Sequence, residues 1–243
     1  MELLTIEPSG PAGVYECYIV TKPLIATTLS GILKSELDNH SRLILVAQML
    51  QGLDFIHASG CMHRDIKLDN VLGSAQPLQA VIIDFGHATW DKTSSDHMKG
   101  TIRYLAPEII AMKHMTAPAN ATYSQSADIW SMGLTIFEFI CRFRLNQNFI
   151  TSPGHRTILS QDNWNKQHAS DQEVQKIFDL LKQMLAWDPA ERISTKEALD
   201  WTNRHGIFVP TPPSSSAGTK NKLTSPIIEP EVDFGKRRRR SVR

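Results

Sequence analysis

The chain carries, at residues 63–70, the stretch His63-Arg64-Asp65-Ile66-Lys67-Leu68-Asp69-Asn70. A helical pattern precedes it from Ser41, with apolar residues at three- and four-residue spacing: Leu43, Val46, Ala47, Leu50, Leu53 and Ile56. That spacing predicts a helix with one buried face, capped by Ser41 or Asp38 and ended by Gly60. A short apolar run that ends in an acid and a glycine follows at residues 81–86. We therefore expect a polar loop on a rigid support, followed by an apolar strand.

The order of these segments resembles the catalytic loop and the metal-binding loop of the eukaryotic protein kinases. The resemblance implies that Asp65 takes the proton of the acceptor hydroxyl and that Lys67 holds the transferring phosphate. It also implies that Asn70 and Asp84 bind Mg²⁺, because carbonyl and carboxylate oxygens are the ligands that this ion prefers. Gly86 would let the backbone turn sharply just after the metal ligand.

Short motifs are weak evidence on their own. Residues 233–235 repeat the Asp-Phe-Gly of residues 84–86, but no apolar strand precedes this second copy, and we interpret it as a coincidence. The first copy, with Phe85 at its centre, is more informative because His63 and Arg64 open a correctly spaced motif upstream of it. The ordered set of motifs, more than any single one, indicates the family.

Three residues are candidates for contacts with the adenine ring. Residues 15–21 alternate and are rich in aromatic and β-branched side chains, which predicts a strand. By the resemblance, this strand is the last one of a small N-terminal lobe, Thr21 lies at the back of the adenine pocket, and Leu24 ends the hinge at residues 22–24. Leu72 would form the floor under the ring. Taken alone, the same residues also fit an edge strand without a ligand and an ordinary core leucine.

The sequence departs from the kinase pattern before residue 15. It contains no Gly-x-Gly-x-x-Gly and no strand that resembles Val-Ala-Ile-Lys. Lys22 and Glu36 cannot replace the missing lysine–glutamate pair, because only four residues separate Glu36 from the helix that begins near Ser41. We therefore expect most of the N-terminal lobe to be absent, with weak ATP binding and with slow phosphate transfer, or none, by the chain alone.

The expected fold class is α+β, mainly α, as a kinase-like C-terminal lobe with a remnant strand and hinge of the N-terminal lobe. The expected domain organisation is an irregular N-terminus at residues 1–14, a kinase-like domain at 15–209 and a disordered basic tail at 210–243. The tail is rich in Pro, Ser and Gly near its start, a composition that cannot bury a core.

Residues 84–108 resemble the activation segment of a kinase, with a polar middle that we expect to be exposed. A phosphate there would pair with Arg64, and three hydroxyl residues are candidates: Thr93, Ser94 and Ser95. Most exposed Ser and Thr side chains are only solvated, so both interpretations stay open.

Residues 100–104, which include Thr101, resemble the peptide-docking turn of the serine/threonine kinases. Lys67 points to the same hydroxyl specificity, since tyrosine kinases usually differ at that position. The resemblance therefore implies a protein substrate with a Ser or Thr acceptor.

Two charged residues outside the loops have structural roles in the family. Asp128, near the start of an apolar helix at about residues 126–140, would accept hydrogen bonds from the catalytic-loop backbone, or it would cap that helix. Arg192 would form a buried pair with Glu108, or it would be an ordinary surface arginine. A second amphipathic helix is expected at residues 174–185, and Ser194 opens a capping-box pattern.

The charge distribution, the cysteines and the apolar stretches indicate where in the cell the protein is expected. The net charge is +1, but residues 210–243 hold eight Lys or Arg against three Asp or Glu, which leaves −4 for residues 1–209. The three cysteines form no Cys-x-x-Cys pair and are expected to be reduced thiols of an intracellular protein, cytoplasmic or nuclear. No stretch is apolar enough to predict a membrane span. The basic run at residues 236–240 is a nuclear address, a patch for anionic partners or a solvated tail.

Two functions follow from these observations. The first is a protein serine/threonine kinase that transfers the γ-phosphate of ATP with Mg²⁺. The alternative is a non-catalytic, pseudokinase-like binding module whose exposed lobe face is covered by a partner. A weaker third possibility is a nucleic-acid-associated scaffold that acts through the basic tail.

Overall fold

The computed structural model describes residues 2–6, 16–20, 25–145, 159–160 and 172–207. Its strands are β1 (Glu2–Ile6), β2 (Glu16–Val20), β3 (Val71–Ala75) and β4 (Leu78–Ile82). Its helices are α1 (Asn39–Ala58), α2 (Pro107–Lys113), α3 (Ser126–Cys141), α4 (Gln172–Met184) and α5 (Thr195–Arg204). The mainly helical α+β composition that the sequence predicts is confirmed. Thr21, Leu24 and the hinge, as well as the basic tail and the second Asp-Phe-Gly, lie outside the described residues.

Both sheets are two-stranded and antiparallel. β1 pairs with β2 from Glu2 opposite Val20 to Ile6 opposite Glu16, and β3 pairs with β4 from Val71 opposite Ile82 to Ala75 opposite Leu78. The expectation that residues 1–14 are irregular is therefore wrong for β1. Five residues are too few to show a reliable alternation, and this strand is stabilised by backbone pairing with β2.

α1 begins where the sequence predicts. The Asp38 carboxylate accepts a hydrogen bond from the Ser41 backbone N–H at 2.7 Å, so Asp38 is the capping residue. The helix ends at Ala58, and Gly60 follows with a φ of 79°, a left-handed conformation that favours glycine. α1 therefore ends five residues before the polar loop, which begins at His63.

The core of the domain is built around α3, whose residues from Ala127 to Ile140 are all buried. α1 and α4 pack against it, α5 packs against α1 and α4, and the β3–β4 hairpin packs on α1. The Arg42 guanidinium group is buried in this core and donates to the backbone carbonyls of Leu33 and Phe139, each at 2.9 Å. This arginine therefore ties the segment before α1 to the end of α3.

Within the described part of the chain, no helix combines the length and the apolar character needed to cross a membrane.

Candidate active site

Three side chains meet in the loop between α1 and β3. Lys67 Nζ donates to Asp65 Oδ2 at 2.7 Å and to Thr101 Oγ1 at 2.9 Å, and the Thr101 hydroxyl donates to Asp65 Oδ1 at 2.8 Å. Gly100 makes the approach of Thr101 possible: its φ is 88°, and a Cβ atom there would lie 2.7 Å from the carbonyl oxygen of Arg64. The turn that carries Thr101 is thus packed directly against the catalytic loop.

Asp65 is ionised despite being buried. Burial alone would raise the pKa of its carboxyl group, but hydrogen bonds from Lys67 and Thr101 and the positive charge of Lys67 hold the pKa below the ordinary value. At neutral pH the site therefore contains a carboxylate that can accept a proton.

Asn70 is held in place by Asp65. Its amide nitrogen donates to the backbone oxygen of Asp65 at 2.9 Å and to Oδ2 at 3.0 Å, which leaves its amide oxygen as the atom available to a metal ion. The Ile83 backbone N–H donates to the Asn70 backbone oxygen at 2.9 Å, so the catalytic loop runs beside the start of the 84–86 segment. The two predicted metal ligands, Asn70 and Asp84, therefore lie on two segments joined by a backbone hydrogen bond.

Asp84 is exposed and has a left-handed backbone conformation, with a φ of 65°. Its Oδ1 accepts a weak hydrogen bond from the Gly86 N–H at 3.3 Å. Among the residues that the structure describes, no group of three or more His, Cys, Asp or Glu side chains could hold a metal ion. Mg²⁺ commonly uses one or two protein oxygens together with substrate phosphates, so Asn70 and Asp84 fit this ion when phosphates complete its coordination.

The backbone of the catalytic loop is anchored by Asp128, near the start of α3. Its carboxylate accepts hydrogen bonds from the backbone N–H groups of His63 and Arg64, both at 2.8 Å, and contacts His57 Nε2 at 3.1 Å. α3 begins at Ser126, so Asp128 lies inside its first turn and is not its cap. These bonds hold Arg64 in a left-handed conformation, with a φ of 67°, that is unfavourable for a residue with a side chain.

His63 is fully buried below the loop. Its Nε2 lies 3.0 Å from the Ile83 carbonyl oxygen, and its Nδ1 lies 3.3 Å from the Asp65 N–H. These partners require a neutral ring that donates through Nε2 and accepts through Nδ1. Burial lowers the pKa of His63, in agreement with that tautomer. Phe85 packs against the ring at a centroid distance of 5.0 Å, yet 47% of its surface is exposed.

The activation segment contacts Arg64 through Ser94 and Asp96. Arg64 Nη1 lies 3.4 Å from the Ser94 hydroxyl oxygen and 3.8 Å from the Asp96 carboxylate. Of the three predicted phosphorylation candidates, Ser94 is the one that the structure brings to Arg64. Ser94 also exchanges two backbone hydrogen bonds of 2.9 Å with Tyr123, whose hydroxyl donates to the Asp96 carbonyl at 2.7 Å.

Arg192 and Glu108 form the pair expected from the sequence. Both Nη atoms of Arg192 donate to the two carboxylate oxygens of Glu108 at 2.7 Å. The arginine side chain is fully buried and also lies over the Trp130 ring. The surface-arginine interpretation is therefore wrong, because this charge is enclosed between α2 and α3.

Leu72 does not fit the interpretation as a core leucine. It is partly exposed on β3, where it forms a bridge with Thr28 of the preceding segment, so it is not an ordinary core leucine. Its role under an adenine ring stays a prediction.

Sequence reasoning missed the contacts of His57 and Tyr123. His57 lies in a predicted helix and Tyr123 in a predicted loop, and each contacts a residue more than 25 positions away in the sequence. No local pattern identifies such partners, although a histidine on the otherwise apolar end of α1 is a weak signal.

Comparison with known proteins agrees with this geometry. The family described as the protein kinase domain matches residues 15–202. Aurora kinase of Dictyostelium discoideum is 32% identical over 164 residues, which are 65% of this chain and 38% of the relative. Mitogen-activated protein kinase mpkC of Aspergillus terreus is 30% identical over 213 residues, which cover 76% of this chain and 55% of the relative. The serine/threonine kinase NLK of Caenorhabditis elegans is 27% identical over 231 residues, which cover 80% of this chain and 35% of the relative.

The chain thus spans between 35% and 55% of the length of these three relatives. The family match nevertheless covers well over half of the chain and includes the catalytic-loop, metal-loop and activation-segment residues described above. The resemblance inferred from the motifs is confirmed: the chain belongs to the protein kinase domain family.

Proposed function

We propose that this chain is a protein serine/threonine kinase that transfers the γ-phosphate of ATP to a Ser or Thr hydroxyl of a protein substrate. The observation that carries the proposal is the contact of one carboxylate, Asp65, with Lys67, Thr101 and Asn70. An ionised acid beside an ammonium group and a hydroxyl supplies a proton acceptor and a cation at the same point, as phosphoryl transfer requires.

Each residue has a defined task in this reaction. Asp65 accepts the proton of the substrate hydroxyl as that oxygen attacks the γ-phosphorus. The ammonium group of Lys67 stabilises the negative charge on the transferring phosphoryl group, and Thr101 keeps Lys67 and Asp65 oriented. Asn70 and Asp84 would hold Mg²⁺, which neutralises phosphate charge when bound. Thr21, Leu24 and Leu72 are proposed to contact the adenine ring.

We expect the 243 residues alone to transfer phosphate slowly. The sequence has no Gly-x-Gly-x-x-Gly to cover the phosphates, and losing one preorganised donor to a charged transition state typically costs ~10²–10³ in rate. A kinase-like fold limited to the C-terminal lobe with a remnant strand and hinge would bind ATP on one side only.

Transfer to peptides tests the proposal. The full chain is incubated with γ-labelled ATP, Mg²⁺ and three peptide pools that differ only in a Ser, Thr or Tyr acceptor. We expect label in the Ser and Thr pools and none when Mg²⁺ is chelated. Label in the Tyr pool, or no label in any pool after prolonged incubation, would contradict the proposal.

A second candidate function is a non-catalytic binding module. The exposure of Phe85 and the partial exposure of Leu72 favour it, since both present apolar surface beside the catalytic loop. Prolonged incubation with labelled ATP, Mg²⁺ and the peptide pools separates the two functions, because a non-catalytic module transfers no label whereas the kinase does.

The proposed location is intracellular, in the cytoplasm or the nucleus. The support for the nucleus is the basic run at residues 236–240, which also suits anionic partners. Imaging the tagged full chain before and after replacement of these residues by glutamine tests this, and an unchanged distribution argues against a nuclear address.

A further inference from the structure

Arg144 joins two parts of the catalytic machinery through its guanidinium group. Its Nη1 and Nη2 donate to the two carboxylate oxygens of Asp69, at 3.1 and 3.0 Å, as a two-pronged contact. Nη1 also donates to the Tyr104 hydroxyl at 3.0 Å, and Nη2 donates to the Ser30 hydroxyl. Asp69 belongs to the catalytic loop, and Tyr104 belongs to the docking turn that carries Thr101.

Glu138 of α3 holds Arg144 and Tyr104 close to each other. Its carboxylate is completely buried, accepts the Tyr104 hydroxyl at 2.5 Å and the Leu145 backbone N–H at 2.6 Å, and lies 3.9 Å from Arg144. The bond to Leu145 folds the chain back just after α3 ends, which brings Arg144 over Tyr104. The position of Arg144 is therefore fixed by a buried group.

Asp69 connects Arg144 to the residues proposed to react. It lies in the single turn Leu68–Asn70, directly before Asn70, whose amide nitrogen holds the Asp65 carboxylate. Tyr104 ends the turn in which its own N–H donates to the Thr101 carbonyl at 2.9 Å. Moving either Asp69 or Tyr104 would thus change the distance between Asp65 and Thr101.

We propose that Arg144 is a positioning residue for phosphoryl transfer: it clamps Asp69 of the catalytic loop to Tyr104 of the docking turn. Arg144 acts through these two residues and touches neither Asp65 nor Lys67. Lysine cannot replace it, because an ammonium group lacks the planar fork that engages both carboxylate oxygens while reaching Tyr104 and Ser30. This role rests on the proposed kinase function.

The test compares Arg144→Met with Arg142→Met in the full chain. Arg142 lies two residues earlier, is exposed and donates to the Leu37 carbonyl at 2.9 Å, away from both turns, so it is a matched control for the loss of one arginine. Amide hydrogen exchange is measured at Asn70 and Tyr104, whose N–H groups close the two turns. We expect faster exchange at both amides in Arg144→Met, with α1 unchanged and Arg142→Met like the wild type.

The kinetic measurement uses the peptide assay with concentrations corrected for folded protein. We expect kcat to fall about tenfold or more in Arg144→Met with an unchanged KM for ATP, since misplacement by ~1 Å can cost ~10²-fold. The Arg144→Met/Asp69→Ala double variant should be no slower than the slower single variant, because both changes break one contact.

Unchanged exchange at Asn70 and Tyr104 would overturn the positioning role, whether or not the chain transfers phosphate. If the wild type is active, equal kcat values for Arg144→Met and Arg142→Met would overturn it as well, as would additive effects in the double variant. A wild type that transfers no phosphate under any condition contradicts the proposed function instead, and hydrogen exchange then decides the role of Arg144 by itself.

Discussion

The charge on Asp65 is decided by two opposing effects. Burial favours the neutral acid, whereas Lys67 and Thr101 favour the carboxylate by donating hydrogen bonds to its two oxygens. The donors prevail, and the pKa is lowered. Lys67 therefore helps to keep Asp65 ionised.

Replacing Lys67 by methionine should raise the pKa of Asp65. The substitution removes a 2.7 Å hydrogen bond and a positive charge but leaves the burial, which raises the pKa when it acts alone. Carbon NMR titration of labelled aspartate carboxyl groups measures the shift. Lys92→Met, at an exposed position of the activation segment, is the matched control and should leave Asp65 unaffected. An unchanged or lower pKa in Lys67→Met would contradict this account of the site.

The helices of the domain hold the loops through a few buried charges. Asp128 of α3 binds the catalytic-loop backbone, and Arg192 binds Glu108 at the start of α2. Each charge is enclosed and fully hydrogen-bonded, so removing one partner leaves the other without compensation. The end of the activation segment at Glu108 is therefore held by Arg192, which lies between α4 and α5.

Arg192→Met should lower the free energy of unfolding by roughly 3–5 kcal/mol, because it leaves the Glu108 carboxylate without its partner. Denaturant titration followed by tryptophan fluorescence measures this loss. Arg204→Met, on the exposed face of α5, is the control and should change stability by no more than ~0.5 kcal/mol. A loss for Arg192→Met that is as small as the control's would show that the pair contributes little.

Regular elements were predictable from the sequence where local chemistry specifies them. α1 and α4 follow from apolar periodicity and α3 from an apolar run, and the Ser194–Glu197 capping box at the start of α5 is present in the structure. β1 was not predictable, because its five residues carry no distinctive pattern and the strand is defined by its pairing with β2. Local signals therefore give the helices but not a strand whose partner is ten or more residues away.

The assembly of the site depends on contacts across the whole domain. Motif order made Asp65, Lys67, Asn70 and Asp84 candidates because these residues fall in two short segments. The contact of Arg144 with Asp69 spans 75 residues, and that of Asp128 with His57 spans 71. A single sequence gives no information on such pairs, so the supporting residues emerge only from the folded chain.

The stability of the folded chain should depend on pH through His63, which is fully buried. Burial lowers its pKa in the folded protein, whereas the unfolded chain takes up a proton near the ordinary value of ~6.5. The unfolded state thus binds more protons below that pH, and folding is progressively destabilised as the pH falls. The negative charges of Asp65, Asp84 and Asp128 partly offset the lowering of the His63 pKa. Burial raises the pKa of Glu138, so protonation of this carboxylate favours the folded state at lower pH and opposes the destabilisation by His63.

We therefore expect the free energy of unfolding to fall between pH 7 and pH 5.5 in the wild type and to fall less steeply in His63→Gln. Urea titrations across this range measure the slope. His114→Gln, at an exposed position after α2, serves as the control and should keep the wild-type slope. Equal slopes for His63→Gln and the wild type would contradict the assignment of a buried, neutral ring.

The most direct test of the proposed kinase function is the initial rate of γ-phosphate transfer by Asp65→Asn relative to the wild type. Asparagine preserves the size of the side chain but cannot accept the substrate proton, and a general base typically contributes ~10²–10⁴ in rate. Asp200→Asn, on the exposed surface of α5, controls for the loss of one carboxylate. We expect a loss of that size in Asp65→Asn at an unchanged unfolding midpoint, with Asp200→Asn equal to the wild type. Transfer by Asp65→Asn at the wild-type rate would contradict the role of Asp65 and, with it, the proposed mechanism.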